Sequence, residues 1–418
     1  MEPPLPQHIS RLRGATLPDG AVVDIDIGHR DGHAVIAAIH PTAPPGEPAD
    51  DILDMTGFVL LTAPAEPHAH LDKALSWDTL TPPFGDLGAA IESWRHGSAT
   101  LTEQSFHDRA TTAATTLLRN GTTAIRTHAD ILDGPDPLRA IRALDRVRRE
   151  LAGLIDIQIV ALTPPTAENA LLHAALDTGA DLVGGAPHIA PNPITELERL
   201  LDTAETRGTG IDLHVDEFLH GTHHTLAHYA HRVRTWPAHR TRTAGHCCRL
   251  GTMSPDELAD LLPAVARSGL GIISLPITNL YLQGRDHPAA TPRGLTALSA
   301  LLDANIPVAA GADNVRDPFN PIGRSDALET AALLITAGHT TPAQAVHMVT
   351  DGAREVLGLP AAGTRVGARA ELLAVRGTGL VDIIANAPAD RIVIRDGAIV
   401  SISRTDYRTA GFAVLETS

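Results

Sequence analysis

Eight short apolar runs recur through the middle of the chain, and most are followed by a stretch with helical spacing. They are Phe58–Leu61, Thr123–Arg126, Asp156–Leu162, Asp181–Gly185, Gly210–Val215, Thr241–Gly245, Gly271–Pro276 and Pro307–Gly311. Helix-period segments follow at Pro137–Leu151, Ile194–Arg207, Ser254–Ser268, Thr291–Ala304 and Ser325–Ala337. Strand and helix in strict alternation demand parallel strands with helical crossovers, and eight such units close on themselves. The pattern predicts an α/β protein built on a (β/α)8 TIM barrel. The flanks read differently. Ala21–Ile27, Ala34–Ile39, Glu371–Val375, Arg391–Arg395 and Ala398–Ile402 look like short strands, with Asp396-Gly397 as a hairpin turn. They predict a small β-sandwich-like unit made from both chain ends, residues 1–61 and 365–418, beside a barrel of 62–364.

The 418 residues suffice for this plan. No apolar run approaches the length of a membrane span, and residues 1–14 lack the order of a signal peptide. Cys247 and Cys248 are the only cysteines and are adjacent, which excludes a disulfide framework. A cytoplasmic protein is expected. A net charge of −16 argues against a nucleic-acid partner.

Chemistry in such barrels sits at the C-terminal ends of the strands. There the chain places His68 and His70, then His214 and Glu217, then His246, then Asp313 and Asn314. Residues two apart on a strand face one way, so both imidazoles of His68 and His70 can meet one point. Singly, each is a hydrogen-bonded strand-end residue or a helix cap. Together, four strands deliver three or more imidazoles and a carboxylate to one rim, a donor set suited to Zn2+ or Fe2+. Of 33 basic residues one alone is lysine, Lys73, three after His70. In an arginine-biased chain a surviving lysine points to a task arginine cannot do, since a compact ammonium and a planar guanidinium differ at a tight site. Its structural alternative is an ion pair to Asp72 or Asp130.

The phrases EPHAHLDK, IRTHAD, DIQIVAL, DLHVDE, LQGR and GADNVRDPFNPIG resemble the amidohydrolase superfamily, and within it the cytosine deaminase branch. The resemblance covers roughly residues 66 to 323. It implies His68, His70, His214 and Asp313 as ligands of one divalent metal ion. It implies Glu217, His246 and Asp313 as the proton-handling and water-orienting groups. Metal-activated hydroxide would attack a ring carbon, Asp313 would take the water's proton, and Glu217 would protonate the ring nitrogen so that ammonia leaves. No lysine follows the fourth strand, where two-metal relatives carry a carbamylated one, so a single ion is expected. The recognition surface departs from the pattern. Pro164 or Pro165 stands where a pyrimidine-reading glutamine is found, Asn314 replaces the second aspartate, and Phe319 replaces a tryptophan. Lys73, Gln283, Asn314 and Phe319 are the expected substrate contacts. His128 and Asp130 are expected to support the site, and Arg126 to pair with a buried carboxylate. His220, His223 and His224 are expected to border the entrance.

The sequence thus predicts a deaminase of a small amino-substituted N-heterocycle, with cytosine itself disfavoured, and a homo-oligomer. The alternatives are removal of an N-alkyl amine or opening of a cyclic amide, and, in another class, an idle barrel used for binding. An idle barrel would be expected to lack a ligand or Glu217, and this chain has all of them.

Overall fold

The computed structural model of the chain describes residues 8–42, 51–221 and 225–406. Its strands, in order, are β1 Arg11–Thr16, β2 Val22–Arg30, β3 His33–Pro41, β4 Ile52–Asp54, β5 Phe58–Thr62, β6 Ala65–Ala69, β7 Ala124–Asp130 and β8 Asp156–Thr163. There follow β9 Leu182–Gly185, β10 Ile211–Val215, β11 Arg242–His246, β12 Gly271–Ser274, β13 Val308–Ala310, β14 Leu372–Arg376, β15 Arg391–Arg395 and β16 Ala398–Ser403.

Strands β6 to β13 form one sheet in chain order, each neighbouring pair parallel. A parallel bridge between Ala69 and Asp313 brings the first strand against the chain just past the last. The sheet is therefore a nearly closed (β/α)8 barrel. Helices return the chain between strands, and their ends follow local chemistry. Pro255–Ser268 begins with a capping box, in which the Ser254 hydroxyl accepts from the Glu257 N–H and the Glu257 carboxylate accepts from the Ser254 N–H. Pro193–Arg207 buries Leu197, Leu200, Leu201 and Ala204, a stripe at three- and four-residue spacing. Each leucine so buried contributes about 1.5–3 kcal/mol of transfer free energy. The expected Thr291–Ala304 helix shortens to Leu298–Asp303. Pro292 and the left-handed Gly294 keep the preceding residues out of it.

One strand was misplaced by sequence. The run Phe58–Leu61 is not the barrel's first strand. As β5 it pairs antiparallel with β14, from Phe58 opposite Arg376 to Thr62 opposite Leu372, and touches β1. The barrel begins two residues later at β6. An apolar run buried on both faces reads alike in either sheet; what decides is a partner strand far along the chain. The second sheet runs β16-β15-β14-β5-β1-β2-β3, with β4 beside β1, and so interleaves both chain ends. Asp396 and Gly397, both at positive φ, make the β15–β16 hairpin turn as expected. Buried ion pairs fasten this sheet to the barrel. Arg391 grips both oxygens of Asp326 at 2.9 and 2.7 Å, and Arg354 meets Glu371 at 3.0 Å. Among the described residues no helix is long and apolar enough to cross a membrane.

Candidate active site

His68 lies on β6, one residue before its end, and His70 follows the strand; both are buried. His214 lies on β10, His246 ends β11, and Asp313 follows β13. The Nε2 atoms of His68 and His70 each lie 3.2 Å from Nε2 of His214. Asp313 Oδ1 lies 3.3 Å from His70 Nε2 and 3.8 Å from His68 Nε2. A tetrahedral ion about 2.0–2.1 Å from its ligands holds them roughly 3.3–3.4 Å apart. Three imidazole nitrogens this close cannot all carry protons, so their lone pairs converge on one point. The residues present therefore fit a single divalent cation.

Electrostatics agree. Burial, and then the neighbouring imidazoles, hold His68, His214 and His246 well below the usual histidine pKa; His70 is held down by burial, then by Lys73. All four are neutral donors at pH 7. Burial pushes Asp313 up, with Glu217, Asp317 and Glu66 adding like charge. A carboxylate so crowded gains most from a cation. Burial alone lifts Glu217 to about 8, so at neutral pH it keeps its proton.

The floor of the site is braced from below. Arg126, fully buried on β7, donates to Asp212 Oδ2 at 3.0 Å, Thr243 Oγ1 at 3.2 Å, Gln158 Oε1 at 3.0 Å and the Leu357 carbonyl at 3.1 Å. It pairs with a buried carboxylate, as expected. The His128 ring lies 4.0 Å from that of His68, centre to centre. Glu66 closes the seam of the barrel by accepting from the His68 N–H at 3.2 Å and the Ala312 N–H at 2.9 Å. Two glycines make room for this. A Cβ on Gly311 would stand 2.1 Å from Glu66 Oε1, and one on Gly245 would stand 3.0 Å from the His68 ring.

Above the ligands opens a cavity of about 250 Å3, walled by His70, His214, Glu217 and His246 at its base. Apolar groups from Leu87, Ile91, Trp94, Leu162, Pro164 and Phe319 form its sides. Lys73 and Asn314 also reach it. Lys73 is nonetheless committed to carboxylates, 2.7 Å from Asp130 Oδ1 and 3.4 Å from Asp72 Oδ2, with the Trp94 ring 5.3 Å away. Asn314 donates to Asp317 Oδ2 at 2.8 Å. Gln283, expected as a substrate contact, is not in the wall; it stands behind Glu217 and donates to its backbone carbonyl at 3.3 Å. The helical turn before it places Asn279 against Glu217 and His246 instead. His220 is exposed, its ring tilted against that of His287 with centres 6.0 Å apart, and His223 and His224 lie outside the described residues. Cys247 and Cys248 are buried as small apolar groups.

Several site residues had no signal strong enough to single them out. Trp94 comes from a helix, Leu87–Ser98, that precedes the second barrel strand, and donates to Asp130 Oδ2 at 2.6 Å. His188, in the stretch after the fourth strand, lines the cavity and lies 3.1 Å from the His214 carbonyl through Nδ1. Asn279 contacts both His246 and Glu217. A rare tryptophan and an asparagine inside a short helix were the available clues.

A parallel barrel with a buried His/Asp group at the C-terminal ends of its strands defines a metal-dependent hydrolase of the TIM-barrel type. The chain belongs to the amidohydrolase family, whose family model matches residues 93–401. It falls in the cytosine deaminase-like branch and is a hydrolase of carbon–nitrogen bonds other than peptide bonds. It is similar to a pterin deaminase of Rhizobium rhizogenes, 32% identical over 85% of this chain and 83% of that one. The structure of 5-methylcytosine deaminase from Klebsiella pneumoniae liganded with phosphonocytosine superposes with a TM-score of 0.84, 27% identity, and coverage of 96% of this chain and 100% of that one. N-isopropylammelide isopropylaminohydrolase from Burkholderia multivorans follows at TM-score 0.78, 30% identity, 94% and 98% coverage.

Proposed function

We propose that the protein hydrolytically deaminates a small amino-substituted N-heterocycle, using one Zn2+ or Fe2+ ion held by His68, His70, His214 and Asp313. The observation that carries this is the convergence of three neutral Nε2 atoms and a carboxylate at the base of a cavity where Glu217 is protonated. When bound, a divalent ion there supplies Lewis acidity, bringing a water's pKa to about 7. Asp313 would take the attacking water's proton and return it to the departing amino group, which leaves as ammonia. Glu217 gives its proton to the ring nitrogen beside the reacting carbon, raising that carbon's electrophilicity. His246 lines the cavity, where it would steady the oxygen as charge develops. The apolar walls exclude bulk water and hold the flat ring against them.

The substrate is proposed to be a bicyclic aminated ring of the pterin kind. The cavity is roomy for one six-membered ring, Pro164 and Pro165 supply no side-chain hydrogen bond where cytosine deaminases read the pyrimidine edge, and the pterin deaminase likeness spans most of the chain. A second reading, loss of an alkylamine, draws its support from the likeness to the N-isopropylammelide enzyme, 30% identical over 94% of this chain. The composite β unit of 1–61 and 365–418 would support the barrel of 62–364, in a cytoplasmic homo-oligomer whose size gel filtration would report. The deciding experiment is a screen of pterins, pyrimidines and N-alkyl triazinones with separate detection of ammonia and alkylamine. Ammonia from a pterin supports the proposal. Turnover of alkylaminotriazines alone, or no release from any, overturns it.

A further inference from the structure

Asn279 sits within the seven-residue helix Pro276–Leu282 that follows β12, and it is fully buried. Asparagine is a poor choice inside a helix, because its amide competes for the backbone, and burial adds a desolvation cost. Yet no backbone group takes its side chain. Its Nδ2 donates to His246 Nδ1 at 3.0 Å and to Glu217 Oε1 at 3.4 Å, while its own carbonyl oxygen meets no donor among the described residues. The His246 Nε2 atom meets no partner either, and that residue lines the cavity.

We infer that Asn279 is a positioning residue that fixes His246 as its Nε2–H tautomer. A neutral imidazole carries one N–H, and the other nitrogen must accept. With the Asn279 amide donating to Nδ1, the proton belongs on Nε2 and aims at the substrate. The choice is not trivial, because Glu217 Oε1 lies 3.3 Å from the same Nδ1. An ionised Glu217 alone would draw an Nδ1–H and turn a bare lone pair to the cavity. One amide group that donates to both holds Glu217 and His246 in the pair of states the reaction needs, two proton donors side by side. The local backbone serves the same end, since His246 is held at φ 67, a conformation few side chains adopt unaided.

The inference rests on the proposed placing of His246 against the substrate, and the experiment separates the two. Nitrogen-15 spectra of the metal-loaded protein, with the His246 signals assigned by their loss in His246→Gln, report which ring nitrogen bears the proton. Nε2–H is expected in the wild type. Asn279→Asp is isosteric but presents only acceptors to Nδ1, and is expected to move the proton there. It should lower kcat at least tenfold, with KM within about threefold and metal content unchanged. Should Asn279→Asp fail to fold, Asn279→Ser and the wild-type spectrum carry the test. An Nδ1–H wild type, or an Asn279→Asp enzyme whose tautomer moves while kcat stays wild-type, overturns the inference. Wild-type turnover in His246→Gln overturns the placing of His246 itself.

Discussion

Glu217→Gln isolates proton transfer from everything else the residue does. The glutamine amide keeps the volume and polarity of a protonated carboxyl, so the contacts to Asn279 and His246 survive. What disappears is a transferable proton. With its pKa at about 8, Glu217 is about nine-tenths protonated at pH 7, so the wild-type enzyme rests in the donating form. General acid catalysis by a positioned side chain is worth about 100- to 10,000-fold. The variant should therefore lose that factor in kcat, or about 2.7–5.5 kcal/mol at 1.36 kcal/mol per decade. KM should stay within a few-fold, and metal stoichiometry should be unchanged. The same assignment sets a pH profile. The working form is the acid, so raising the pH removes it. In the wild type kcat/KM should fall tenfold per unit above about pH 8 as Glu217 loses its proton, and fall again below about pH 7, where the activated water keeps its own. The assay is steady-state ammonia release, with metal measured on the same samples. A Glu217→Gln enzyme within tenfold of wild-type kcat would refute the reasoning.

Other outcomes follow from the same geometry. Arg126→Met leaves Asp212 buried without its cation and should destabilise the fold by about 3–5 kcal/mol in urea titrations, with Asp212→Asn in the same chain restoring part of it. Gly311→Ala puts a methyl 2.1 Å from Glu66 Oε1, and should speed metal loss to a chelator about tenfold or more by shifting the seam that holds His68 against Asp313. Removing the ion with a chelator should abolish turnover, and adding back Zn2+ or Fe2+ singly should show which restores it. Lys73→Arg forces a fork into a slot shared by Asp130, Asp72 and the Trp94 ring; KM should rise with metal content intact, and wild-type kinetics would reduce the lone lysine to a codon accident.

The barrel and the meeting of a His/Asp group at its rim were legible because they depend on short-range order. Runs of apolar residues fix strands, and a histidine pair two apart on β6 faces one way whatever the rest of the chain does. Strand ends in a barrel share a rim, so His214, His246 and Asp313 could be brought to it without coordinates. What sequence could not carry was pairing across long separations. Phe58–Leu61 satisfies the pattern of a barrel strand, and only β14 reveals that it belongs to the other sheet. Gln283 lies outside the cavity wall for a related reason. A motif places a residue near a site but not on which neighbour its side chain is spent, and here the Gln283 amide is spent on the Glu217 carbonyl. Trp94 reaches the site from a helix ahead of the second barrel strand, where no strand-end rule looks. Asn279 is nearly invisible without distances, since its meaning lies in two atoms of two other side chains.

The seating of β5 between β1 and β14 has a consequence for how the protein is made. His68 and His70 hang from a strand that starts two residues after β5, and β5 has one edge open until Leu372–Arg376 exists. A nascent chain still on the ribosome at that stage has translated every ligand yet lacks the strand that steadies the first two. The proposed ion should therefore be captured only once β14 has formed, and a chain cut short before Leu372 should come out of the cell empty of metal.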